Sequence, residues 1–176
     1  SICVIAIYNY SRFGSPFESG YKYQLIPPEA ELRRNEGIFS LQHVPANFYY
    51  MFIKGPDPIL KDESHILKFP YMRFDYYGMS ILLLSPILLL IPLASFRNKT
   101  VLIAIITILL TMIPILTYYG IGYRQVGYRY ALDFYPFLLF PLISAVKKVS
   151  YKVLSTLVLL GVGITWFFLI ERLSGF

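Results

Sequence analysis

Two stretches gather most of the side chains able to do chemistry in the apolar part of this chain. One is Tyr123-Arg124-Gln125-Val126-Gly127-Tyr128-Arg129-Tyr130, followed by Asp133 inside an apolar run; the other is Phe69 to Met79, with Arg73 and Asp75 among aromatic residues. Guanidinium forks match phosphate oxygens bidentately, and aromatic planes suit sugar rings or a prenyl chain, so the combination fits an anionic, amphipathic ligand. An acidic side chain entering a membrane helix is costly unless paired or wetted, which makes Asp133 a candidate, with Arg129 one helical turn back as its partner. A plainer reading stays open beside this one: an ion pair anchoring a helix end within an aromatic belt at a membrane interface.

Other chemistries find little footing. His43 and His65 lack companions at metal-ligand spacing, the single Cys3 supports neither an internal disulfide nor a metal cluster, and no Gly-rich phosphate loop or Ser-His-Asp arrangement occurs. The net charge of +6 is not a nucleic-acid footprint. Residues 9–78 carry eight basic and eight acidic side chains, and the whole excess lies beyond them, where eight basic residues face only Asp133 and Glu171.

The elements that position these residues follow from hydropathy. The chain is 56% hydrophobic and 18% aromatic but 15% charged, with a mean hydropathy of +0.57, which suits a bilayer rather than water. Four runs approach the ~20 residues needed to cross ~30 Å of hydrocarbon: Met79 to Phe96, Val101 to Tyr119, Ala131 to Val146 and Val153 to Ile170. Prolines at 86, 92, 114, 136 and 141 are compatible with kinked membrane helices. Arg97 and Lys99 in one connection, and Lys147, Lys148 and Lys152 in another, assign those turns to the cytoplasm. The segment before Met79 and the turn 120–130 then lie outside, against the opposing signal of Arg124 and Arg129.

The expected fold is therefore an all-α integral membrane bundle, the C-terminal fragment of a longer protein in the plasma membrane. Residues 1–8 would end a truncated membrane helix, 9–78 form an extracytoplasmic loop, and 79–176 hold four membrane helices, with lipid and upstream helices of the same protein as partners. Within the loop, Leu41, Val44, Phe48 and Phe52 recur at helical spacing, with Pro45 near the start and Gly55-Pro56 at the end, predicting a short interfacial helix. Gly161 and Gly163 permit close helix approach without forming GxxxG.

Asn9 to Tyr21 (NYSRFGSPFESGY) and Gly127 to Phe137 (GYRYALDFYPF), supported by Phe69 to Met79, resemble the C-terminal half of polytopic prokaryotic membrane proteins related to the GT-C glycosyltransferases, which include the protein mannosyltransferases. The resemblance reaches about Phe140. It implies transfer of a sugar from a polyprenyl-phosphate carrier to an acceptor on the outer face, with inversion. It further implies a base in the first external loop, commonly with a divalent metal ion, both upstream of Ser1. No catalytic residue, metal or cofactor is thus carried onto this chain. Arg124, Arg129, Arg12 and Arg73 become candidates for the carrier phosphate, and Glu18 and Asp75, with the tyrosines, for sugar or acceptor; Asp133 stays a substrate-binding candidate with no assigned role. The alternative from another class is a non-catalytic protein that binds, flips or scaffolds a lipid-linked sugar.

Overall fold

The computed structural model describes residues 2–63 and 65–174; the first residue of the expected 1–8 segment and the last two of the 79–176 region lie outside them. Helix α1, Ile2–Phe13, runs five residues past the expected boundary at Tyr8. The Arg12 guanidinium donates to the Tyr8 hydroxyl at 2.7 Å one turn back, and Asn9 donates to the Pro16 carbonyl, so the polar residues lengthen the helix instead of ending it. Helix α2, Pro28–Asn35, begins on a proline and has glutamates in its first turn and arginines in its last, the order that the helix dipole favours.

A 3₁₀ turn at Leu41–His43 leads into helix α3, Val44–Phe52, close to the predicted interfacial helix. Its buried face, however, is His43, Asn47 and Met51, while the stripe members Leu41 and Phe48 are 80% and 46% exposed. Strands β1, Asp57–Leu60, and β2, Leu67–Arg73, form an antiparallel hairpin with Asp57 opposite Arg73. This two-stranded sheet corrects the all-α expectation. Ile59, Leu60, Ile66, Leu67 and the aromatics after them supply a short strand pattern on either side of the polar sequence 61–65.

A larger departure falls on the expected first membrane helix. Residues 79–96 form only the four-residue helix α4, Ile81–Leu84, and a 3₁₀ segment, Pro86–Leu93, separated by Ser85, whose φ of -132° and ψ of 71° lie outside helical geometry. Pro86 explains the break, because a proline disfavours helical geometry at the preceding residue and has no N–H to continue the ladder. The break is supported: the Tyr135 hydroxyl donates to Ser85 Oγ at 2.6 Å, and Gly161 lets the chain close in, since a Cβ there would sit 3.0 Å from Pro86 Cδ and 3.1 Å from the Leu84 carbonyl oxygen.

Helices α5, Lys99–Thr117, α6, Tyr135–Val146, and α7, Tyr151–Ser174, complete the mostly helical body. Asn98 caps α5 by accepting from the Thr100 N–H at 2.9 Å. Inside α5 the hydroxyls of Thr107, Thr111 and Thr117 donate to carbonyls one turn back, leaving its surface apolar. At 1.5 Å per residue, α5 and α7 extend about 28 and 36 Å, whereas α6 reaches about 18 Å. Two helices are thus long and apolar enough to cross a membrane, and α6 is not.

The core joins α3 through α6: Met51, Ile81, Leu88, Ile108, Ile115, Tyr128, Phe134 and Leu138 pack together. A second cluster of Leu90, Ala94, Val101 and Ala145, together with a bond from the Ser95 N–H to Ser144 Oγ, brings the start of α5 beside the end of α6. The helical body therefore has two ends. Arg97, Lys99, Lys147, Lys148 and Lys152 belong to one, all exposed; Tyr118, Tyr119 and the 120–133 segment form the other.

Candidate functional site

The second end is built around the C-terminus of α5, whose last carbonyls lack helical partners. Asn47, fully buried on α3, supplies them: its side-chain amide donates to the carbonyls of Ile115, Leu116 and Tyr118 at 3.3, 2.8 and 2.7 Å. Its oxygen in turn accepts from Arg33 Nη2 at 3.1 Å, and Arg33 Nε donates to the Tyr119 carbonyl at 2.6 Å. Loss of hydration lowers the Arg33 pKa, although a guanidinium stays protonated under ordinary conditions. One buried amide thus fixes both the helix end and a half-buried cation.

The 120–130 segment is held against 74–79. Met79 and Gly127 form a parallel bridge, the Gln125 N–H donates to the Tyr76 carbonyl, and Gln125 Nε2 donates to the carbonyls of Tyr77 at 2.6 Å and Ile121 at 3.0 Å. Gly122 is required here: its φ is 112°, and a Cβ would collide with the Gln125 amide. Tyr123 stacks on Tyr76 and tilts against Tyr77, with ring centroids 6.3 and 6.1 Å apart. The two sequence clusters are therefore neighbours in space.

These contacts leave a cleft of about 450 Å³ whose walls carry Tyr50, Tyr77, Tyr118, Tyr119, Tyr123 and Tyr130, with Arg33, Arg129 and Glu29 among them. A second, more polar cleft of about 600 Å³ shares Gln24, Tyr118 and Tyr130 with the first and adds Arg12, Ser19, Tyr21 and Tyr23. Burial, then hydrogen bonding with Tyr21 and Tyr119, pushes the Tyr118 phenol up, so it is a neutral donor at ordinary pH. Burial also raises the Tyr50 and Tyr77 phenols.

The predicted site residues divide. Arg129 lines the first cleft and Arg12 the second. Arg129 lies over Tyr130 and Arg12 over Phe13, at 5.6 and 5.2 Å from the ring centroids. Arg124, at a positive φ of 53°, is exposed over Tyr123, and Arg73 and Asp133 are exposed as well. The Glu18 carboxylate accepts from the Gly20 N–H at 2.9 Å and orders its own loop. No ion pair joins Arg129 to Asp133 among the described residues. Arg129–Asp133 is a 3₁₀ turn, in which residues three apart eclipse, so a fourth residue points a third of a turn away.

Asp75 is also committed, but not to Arg73. Lys54 Nζ lies 3.3 Å from Asp75 Oδ2 and 2.5 Å from Asp57 Oδ1, while Asp75 Oδ1 accepts from the Tyr77 N–H at 2.6 Å. Burial alone would lower the Lys54 pKa; bonds to the two carboxylates outweigh it and raise the value. Sequence reasoning missed Arg33, Asn47 and Lys54. Asn47 alone left a signal, as a polar residue inside the apolar run Val44 to Phe52; Arg33 and Arg34 look equivalent until packing turns one inward.

No group of three or more His, Cys, Asp or Glu side chains gathers among the described residues. No family model, curated protein or solved structure matches the chain.

Proposed function

We propose that this chain is membrane-embedded and that its tyrosine-lined end binds a polyprenyl-phosphate-linked sugar at the extracytoplasmic face, as the carrier- and acceptor-binding part of a GT-C-like glycosyltransferase. Membrane embedding is supported by exposure running opposite to that of a water-soluble fold. Only 22% of the apolar stretch of α5 and 11% of that of α7 is buried within the protein. In α3 and the 3₁₀ turn before it, His43 and Asn47 are buried while Leu41 and Phe48 are exposed. The concentration of lysines at the opposite end supports the orientation.

The observation that carries the ligand reading is the cleft itself. Tyr50, Tyr77, Tyr118, Tyr123 and Tyr130 offer ring faces and hydroxyls to a sugar, and Arg33 and Arg129 offer charge to a phosphate. As the sugar departs, negative charge grows on the carrier phosphate, and guanidinium groups already held in place stabilise it without reorganising. The base that deprotonates the acceptor belongs, on this reading, to an external loop upstream.

The full-length protein in nanodiscs tests this directly, with a polyprenyl-phosphate hexose as titrant. Arg33→Gln and Arg129→Gln each remove a charged donor, and about tenfold weaker binding is expected from either. Unchanged affinity in both variants sinks the proposal. A non-catalytic flipping role has one observation in its favour, the broken helix at Ser85 beside a groove against α7. Movement of the lipid-linked sugar between leaflets, without a transfer product, would select that reading.

A further inference from the structure

The lysine end carries a cleft of its own, about 440 Å³, lined by Ser95, Asn98, Thr100, Lys147 and Lys148 at the helix ends and by Val101, Phe140 and Ile143 farther along. We propose that it binds the headgroup of an anionic phospholipid. The inference rests on the membrane-embedded part of the reading above and is independent of any sugar chemistry.

Three features select this ligand. Charge comes first: Lys147 and Lys148 line the cleft, Arg97 lies in the connection before α5, Lys99 and Lys152 sit in the first turns of α5 and α7, and neither connection holds an acidic residue. A basic recess between membrane helices at the cytoplasmic side attracts phosphate headgroups. Polarity along the cleft comes second. From Lys147 back to Phe140 the wall descends about 10 Å along α6, from ammonium groups through the Ser144 hydroxyl to Ile143 and Phe140, which are 58% and 46% exposed. A soluble anion would use only the upper half. A glycerophospholipid uses both, with its phosphate among the lysines and hydroxyls and an acyl chain against Ile143 and Phe140. The third feature is size, since 440 Å³ falls within the ~300–1,000 Å³ of ordinary ligand sites.

The test reconstitutes the full chain in nanodiscs of phosphatidylcholine containing a minority of phosphatidylglycerol and counts the lipids that stay bound when the protein is released for native mass spectrometry. The wild type is expected to retain phosphatidylglycerol over phosphatidylcholine. Lys147→Gln/Lys148→Gln should lower that preference at least fivefold, while Lys147→Arg/Lys148→Arg keeps it and Lys61→Gln, in the hairpin turn, leaves it unchanged. Millimolar inorganic phosphate should not displace the lipid. The proposal is overturned by equal retention of the two lipids, by an unaltered preference in the double Gln variant, or by displacement with phosphate, which would mark a site for free anions. Failure of the chain to resist carbonate extraction from membranes would instead remove the membrane reading beneath both proposals.

Discussion

At the tyrosine-lined end the protein fixes two cations, Arg33 and Lys54, whereas Arg124 and Arg129 there and the cations of the lysine end stay exposed. Arg33 is pinned by the Tyr119 carbonyl and Asn47, and Lys54 by two carboxylates. Lys147, Lys148 and Lys152 stand exposed on flexible stems. A cation whose position is fixed can serve a reaction or a shaped ligand; one that swings freely serves orientation and recruitment of lipid, where precise placement is not needed. Both ends carry cations, yet these depend on the fold to different extents.

The sharpest way to break this contrast is Asn47→Leu. It leaves three carbonyls near the end of α5 and the Arg33 guanidinium short of partners at a position where Asn47 itself is fully buried and its partners are partly so. Leaving such groups unmade costs ~1–3 kcal/mol each, and partial recovery by relaxation brings the expected loss to about 3 kcal/mol. For a chain of this size that is roughly 6–12 °C in Tm, measured by thermal unfolding in detergent. A loss within error would mean that the tyrosine-lined end is no more preorganised than the lysine end.

The sequence made some of these features legible and hid others. Helices α5 and α7 announce themselves because no charge interrupts 101–117 or 153–170, runs that follow Asn98 and a group of lysines. Hydropathy and charge suggested only a common membrane face for the two clusters; that 74–79 and 123–127 touch is a result of packing. The failure at 79–96 is local: hydropathy integrates over ~19 residues and ignores a single Pro86, whose effect on Ser85 decides the backbone there. Arg129–Asp133 failed for a related reason, since a 3₁₀ turn and an α-helix share nearly the same sequence preferences but not the same faces. The clefts were invisible because their walls come from α2, α3 and the two loops at once, and only packing shows that Arg33, rather than Arg34, joins them.

Lys54 sharpens the comparison through pH. Its folded pKa is raised above the ordinary lysine value, so the stability it contributes is fully present below about pH 10.4 and is lost as pH rises through the folded pKa. Lys54→Met should cost about 2 kcal/mol near neutrality, the range for bonds to charged groups. Part of the wild-type decline in stability above about pH 10 should disappear with it. Chemical unfolding followed at neutral and alkaline pH reads both effects. Parallel curves for the two proteins would show that Lys54 is as free as the lysines at the other end.

Tyr128 offers the smallest effect, with the opposite sign. Its side chain is 2% exposed and packed among core residues, yet its hydroxyl finds no hydrogen-bond partner among the described residues. Removing an unsatisfied buried polar atom while keeping the ring relieves a desolvation cost, so Tyr128→Phe should stabilise the protein by about 1 kcal/mol, or roughly 2–4 °C. Burial also pushes the phenol pKa up. A group with a raised folded pKa gives stability present below its unfolded pKa of about 10 and lost as pH climbs toward the folded one, so the advantage of Phe should widen above pH 10. Tyr128 lies against Tyr130, a cleft wall, with ring centroids 5.9 Å apart. If Tyr128→Phe proves destabilising, the hydroxyl has a partner supplied from outside the chain. The tyrosine-lined end would then extend its binding surface one layer deeper than the cleft.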